Sequence, residues 1–268
     1  MFIYFMLYIY TVTYNRPEFI KYQYLLFKKF LVDDFEYIVF NNTMTDNILN
    51  SNNVSNNILL DKICKELNIN YVDVDVNLYT NIPNDASKRA GISIDFARNY
   101  MFKKYNDVNN IFALIDSDAF LISKLNIKEF MDTCKLSGRY QYRVSINGYK
   151  NEYITNQIVI YKPSDLIDNI DYLSFLPGHF NSVNCDCGGA INYLFKNIDN
   201  LNFKNWNNLL FSELGNNIQI SGGDISSQEH YNDDYKKYLS NDIINYIEKD
   251  TSILNKQFPF CEILVNDN

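Results

Sequence analysis

Cationic charge is scarce in this chain: 24 lysines and arginines stand against 32 aspartates and glutamates, giving a net charge of −8 and a pI near 4.8. A reader of phosphate backbones needs a basic stripe, so this shortage excludes a nucleic-acid partner. An acidic chain still binds a nucleoside diphosphate where a divalent cation neutralises it locally. The five cysteines, Cys64, Cys134, Cys185, Cys187 and Cys261, are odd in number and irregularly spaced, so they form no disulfide framework. They point to free thiols in a reducing, cytoplasmic compartment, a host cell's if the chain is viral. The Cys185-x-Cys187 pair reads as small apolar packing rather than as a metal site. The apolar opening from Met1 to Tyr14 has no basic n-region and no small-residue cleavage site, and it is too short to cross a bilayer. It is expected to be a buried strand, with no signal peptide and no transmembrane segment.

Apolar material, by contrast, is plentiful. Hydrophobic residues make up 47% of 268 positions, with 22 Tyr and 19 Phe, which excludes disorder throughout. The enrichment in Asn, Ile, Lys, Tyr and Phe fits an AT-rich genome and says little of function. Strands are expected at about Phe2–Thr13, Phe35–Phe40, Ile69–Val76 and Ile111–Ile115. Helices are expected after Pro17, which suits a first helical turn, at Leu59–Leu67 and at Ile92–Tyr105. The Asn-rich tract Asn41–Asn57 reads as a long surface loop. Alternating strands and helices imply a mostly parallel sheet whose ligands bind at the strands' carboxyl ends. Those ends are Tyr14–Arg16, Asn41–Thr43, Val76–Tyr79 and Asp116–Asp118. The second half is less regular: a strand pair near Tyr140–Ile146 and Gln157–Tyr161, a glycine turn at Gly188-Gly189, then helices. With neither linker nor internal repeat, the chain reads as one domain, 1–268.

Asp116-Ser117-Asp118 follows the continuous apolar run Ile111–Ile115, the pattern of a central strand buried on both faces. Two carboxylates there are costly to bury without a cation, and Mn2+ or Mg2+ would bridge them to a diphosphate. Asp73-Val74-Asp75 has the same spacing, but both acids alternate along a strand and read as an exposed edge. Gly91-Ile92-Ser93, Ala97-Arg98-Asn99 and Ile111–Asp118 together resemble the block carried by GT-A glycosyltransferases. Thr11–Pro17 resembles the first strand and nucleotide loop of the same enzymes. The resemblance covers about residues 4 to 122.

The resemblance implies a GT-A-like three-layer α/β/α sandwich with a mostly parallel central sheet. Residues 1–122 would be its nucleotide-sugar half and 123–268 its acceptor half. It implies a nucleotide diphosphate sugar as donor and a glycan or glycoprotein as acceptor. Thr11, Thr13, Tyr14 and Arg16 would line the base and ribose pocket. Asn41 or Asn42 would bond the base, where many relatives carry Asp. Arg89 or Arg98 would face the diphosphate or sugar, beside Asp116 and Ser117. Asp116 and Asp118 would hold the metal, completed by His230, with Asp224 as a rival. Asp186, in Cys185-Asp186-Cys187-Gly188-Gly189, is the candidate base in an inverting reaction, its pKa tuned by burial. His179 reads as a loop residue, and Trp206 as a packing residue that could stack on a sugar.

Two other readings compete. A haloacid-dehalogenase-type phosphatase also carries D-x-D after an apolar strand, but it has Thr or Val where this chain has Phe120, and its motif opens the chain. A non-catalytic carbohydrate-binding protein on the same fold would bind a nucleotide sugar without turning it over. A nucleotidyltransferase needs a glycine-rich loop after the first strand, and Thr13–Arg16 holds no glycine.

Overall fold

The computed structural model describes residues 6–14, 17–42, 51–79, 82, 85–105, 107, 109–117, 119–121, 124–180, 182–198, 201–205 and 219–221. Its elements run β1 (Leu7–Thr13), α1 (Pro17–Phe30), β2 (Phe35–Asn41), α2 (Ser51–Leu67), β3 (Asn70–Asp73), α3 (Ala86–Lys104), β4 (Ile111–Ile115), β5 (Ala119–Leu121) and α4 (Ile127–Phe130). There follow β6 (Leu136–Val144), β7 (Lys150–Tyr161), α5 (Pro163–Leu166), β8 (Gly178–Phe180), β9 (Val183–Cys185), α6 (Asn192–Asn197), β10 (Phe203–Asn205) and β11 (Gln219–Ser221).

Seven strands form the central sheet in the order β10-β6-β7-β4-β1-β2-β3, drawing on both halves of the chain. Only β7 runs against its neighbours, so the sheet is mostly parallel, as expected. All five residues of β4 are buried. Its pleat sends Ile111, Ala113 and Ile115 into a core shared with Ile20 and Phe27 of α1 and Leu60 of α2. Phe112 and Leu114 enter the opposite core with Ile94, Ala97 and Met101 of α3 and Leu194 of α6. Helices thus cover both faces of an α/β/α sandwich. Among the described residues no helix is long and apolar enough to cross a membrane.

Several boundaries differ from the sequence reading. Helix α2 begins at Ser51, inside the tract read as loop. A tertiary contact overrides the weak helix propensity of Asn there: Asn57 accepts a bond from buried Asn41 at 3.1 Å. Helix α3 starts six residues before Ile92, at Ala86, because Asp85 caps it by accepting from the Lys88 N–H at 3.0 Å. Strand β3 stops at Asp73, so Asp75 lies beyond it. Asp73 stands on the sheet's edge strand, exposed, and accepts from the Tyr71 hydroxyl at 2.7 Å. Strand β7 is far longer than expected, and it carries a bulge. Gly138 faces Val159 while Tyr140 faces Ile154, so β7 spends the residues between on Arg139 alone.

The chain from Phe175 to Leu176 crosses α3 where Gly91 leaves room; a Cβ there would run into the Phe175 carbonyl. Gly188 closes the facing layer with φ of 87°, and its N–H donates to the Phe175 carbonyl at 2.8 Å. A Cβ at Gly188 would also strike the Ile154 carbonyl. Gly188→Ala therefore meets a left-handed backbone and a collision together, and should cost about 2–4 kcal/mol of stability. Urea unfolding measures this, and an unchanged midpoint contradicts the packing described.

Candidate functional site

Period-two alternation decides which residues reach the ligand end of the sheet. Val12 and Tyr14 point toward α3, while Thr11 and Thr13 point to the α1 side. A cleft of about 220 Å³ opens there, lined by Val12, Tyr14, Asn42, Ala90, Ile94, Leu114, Asp116, Ser117 and Asn156. Apolar and polar side chains share its lining.

Asp116 leaves the end of β4 with its N–H bonded to the Gln157 carbonyl at 2.9 Å. One carboxylate oxygen accepts from the Ser117 N–H at 2.9 Å, the other from Asn156 Nδ2 at 3.1 Å. The bulge of β7 supplies both Asn156 and Gln157, and neither was singled out from the sequence. The D-x-D turn closes with Ala119 N–H donating to the Asp116 carbonyl at 3.0 Å. Strand β11 pairs antiparallel with β5, setting Ser221 opposite Ala119. The other expected metal ligands, Asp118 and His230, lie outside the described residues, as do Arg16, Trp206 and Asp224. Among the described residues no three His, Cys, Asp or Glu side chains gather as a metal cage. The donors present at Asp116 are hard carboxylate oxygens, the ligand type that Mn2+ or Mg2+ takes.

Asn42 and Tyr14 stand in the cleft wall, Tyr14 being 44% exposed. The Tyr79 hydroxyl donates to Asn42 Oδ1 at 2.9 Å, which turns the amide nitrogen away from that bond. Tyr79 also bonds Ser93, and the Arg89 guanidinium lies 5.7 Å from its ring centre. Arg89 is not among the residues lining the cleft. Asn41 sits beneath, fully buried, donating to Tyr71, Asp73 and Asn57. Thr11 is buried within the sheet and donates to the Ile115 carbonyl. Thr13 is buried too, its hydroxyl without a hydrogen-bond partner among the described residues.

Arg98 stands away from the cleft. It is 5% exposed and donates to the Leu173 carbonyl, to Ile170 at 3.4 Å and to Asn99. It also pairs with Asp95 at 3.4 Å. Burial raises the Asp95 pKa, opposed by Arg98 and by bonds from Phe175 N–H and the Ser174 hydroxyl. The Ala97-Arg98-Asn99 element therefore clamps α3 to the crossing segment 170–175.

A second cleft, about 400 Å³, is lined by Asp85, Ser87, Arg143, His179, Asn184 and Asp186, among others. Ser87, Ala90 and Ile94 fall on one face of α3, so a single helix walls both clefts. Asp186 Oδ1 accepts from the Ser87 hydroxyl and from the Cys187 N–H. The carboxylate is exposed, where the sequence reading expected a buried one. His179 lies in β8, its ring nitrogen 2.6 Å from Asn184 Oδ1. Cys185 and Cys187 are buried free thiols. Burial pushes the Cys187 thiol well up, helped by the charges of Asp116, Asp186 and Asp95.

No family model and no curated protein matches this chain. Among solved structures it is similar to an active-site mutant of LgtC (13% identity, TM-score 0.39, covering 62% of this chain and 61% of that one). It is also similar to the mannosyltransferase PcManGT from Pyrobaculum calidifontis in complex with GDP-Man and Mn2+ (10%, TM-score 0.42, 74% and 54%). A third likeness is to the bifunctional glycosyltransferase WbbM (12%, TM-score 0.37, 61% and 32%). The chain thus spans less than two thirds of each of these three proteins. At TM-scores this low, what the chain binds has to be read from its own residues.

If Arg98 is a clamp, Arg98→Met takes the cation from the half-buried Asp95 carboxylate and the donors from two carbonyls. It should cost about 3–5 kcal/mol of stability and leave nucleotide affinity per folded molecule unchanged. Lost nucleotide affinity with intact stability would return Arg98 to the ligand site.

Proposed function

We propose that this chain is a divalent-cation-dependent glycosyltransferase, moving a sugar from a UDP- or GDP-linked donor to a glycan or glycoprotein acceptor. The observation that carries the reading is the Asp116 carboxylate. It ends a strand buried on both faces, and Asn156 and the Ser117 N–H hold its two oxygens in the wall of an open cleft. Such a group is expensive to keep beside a core unless it meets a cation. Asp118 and His230 are the further ligands this reading requires. A bound Mn2+ or Mg2+ would neutralise the charge that develops on the leaving diphosphate.

Tyr14 and Asn42 receive the base and ribose, the ring by stacking and the amide, fixed by Tyr79, by donating through its nitrogen. Arg16, two residues after Tyr14, pairs with the diphosphate. Arg89 acts through the Tyr79 ring. Asn156 holds the Asp116 carboxylate and borders the donor sugar. The second cleft takes the acceptor, and Asp186 draws the proton from its attacking hydroxyl if the outcome is inversion. Because Asp186 is exposed, a seated acceptor has to exclude water before the base works efficiently.

A panel of nucleotide sugars, assayed for Mn2+-dependent release of nucleotide, tests this directly. At least one donor should turn over, and Asp116→Asn should abolish the release. Asp186→Asn should keep donor affinity while lowering transfer by about 10² to 10⁴, the usual worth of a general base. Full turnover in excess chelator would sink the metal assignment. Binding with no release from any donor would mean a carbohydrate-binding protein without catalysis.

A further inference from the structure

Helix α1 buries Phe19, Ile20, Leu26 and Phe27, and in the middle of that apolar stripe stands Gln23, also fully buried. A Leu or Met would fill the position with no polar demand, whereas a carboxamide there must satisfy two N–H donors and a carbonyl. Gln23 Nε2 donates to the Asp116 carbonyl at 2.8 Å and to the Ala119 carbonyl at 2.7 Å. Its Oε1 accepts from the Tyr37 hydroxyl. The amide has one orientation, because the two carbonyls can only accept, which sets the nitrogen toward them and leaves the oxygen to take the Tyr37 hydroxyl. Thr11, one layer over, ties the Ile115 carbonyl in the same manner.

We propose that Gln23 is the positioning residue of the Asp116 turn: by gripping the carbonyls at both ends of that turn, it fixes the direction in which the Asp116 carboxylate enters the cleft. The proposal rests on the reading of Asp116 as the donor-site acid. Gln23 itself lies on the α1 side of the sheet and lines neither of the two clefts described, so its influence passes through the turn's backbone. Asn156 holds the carboxylate from the β7 side and Gln23 holds the peptide plane from the α1 side. Together they leave the acid little rotation, which a metal-binding or charge-stabilising group requires for full effect.

The test compares Gln23→Met and Tyr37→Phe with Leu60→Ala, a cavity in the same core that touches neither the turn nor the clefts. Hydrogen exchange in the intact protein reads the turn. In Gln23→Met, the Ser117 and Ala119 amides should exchange about ten-fold faster, roughly the worth of one hydrogen bond, while β2 amides follow the Leu60→Ala control. Mn2+-dependent turnover per folded molecule should fall about 10- to 100-fold in kcat, with KM for the acceptor unchanged. Leu60→Ala should keep kcat even if its melting temperature falls as far. Should Gln23→Met fail to fold, Tyr37→Phe retains both donors but removes the bond that anchors the amide oxygen, and the same two amides should be the ones that loosen. Stability loss with unchanged exchange at Ser117 and Ala119 and unchanged kcat makes Gln23 a core filler and overturns the proposal. A wild-type protein without metal-dependent turnover overturns the donor-site reading instead, and the exchange result then decides alone whether Gln23 holds the turn.

Discussion

A strand buried on both faces leaves little water to receive the carbonyls with which it stops. β4 is such a strand, and its last residues meet protein donors from three directions. Thr11 of β1 reaches the Ile115 carbonyl, Gln23 of α1 reaches those of Asp116 and Ala119, and Asn156 of β7 reaches the Asp116 carboxylate. None of these partners is near another in sequence, so the turn is held by the assembled sandwich rather than by local preference. The arrangement makes the acid a fixed feature of the fold, and fixed charge is what electrostatic catalysis uses.

The second half of the chain is organised around α3. Asp95 and Arg98 hold the crossing segment 170–175 from one side of the helix, and Gly91 gives its backbone room. That crossing fixes the Gly188 turn, which in turn presents Asp186 to Ser87 at the start of the same helix. One helix therefore carries part of the wall of both clefts, and the spacing between them is set by about two helical turns from Ser87 to Ile94 rather than by a loop.

Much of this order was legible in the sequence, because hydrophobic periodicity is a local signal. The run Ile111–Ile115, the helix after Pro17 and the parallel β-α alternation all follow from it. The cleft-side residues Tyr14, Asn42, Asp116 and Ser117 were found because they end strands. Thr11 and Arg98 have family-like positions, but the pleat and the crossing segment turn them inward, and neither effect is visible in one dimension. Asn156 was missed because a β-bulge has no sequence signature here beyond a polar triplet in a strand. Gln23 did leave a signal: it is the polar residue at the centre of an apolar helical stripe. Helix α2 was cut short in the reading because Asn is a poor helix former, and the bond from Asn41 to Asn57 was invisible.

The claim on which the rest depends is that the Asp116 turn binds a metal–diphosphate. Crystals of the intact protein soaked with Mn2+ and UDP or GDP, measured at the manganese absorption edge, test it most directly. The account predicts an anomalous peak about 2.2 Å from an Asp116 carboxylate oxygen, shared with diphosphate oxygens, with the base against Tyr14 and Asn42. Nucleotide bound elsewhere, or bound in this cleft with no metal at Asp116, would contradict it.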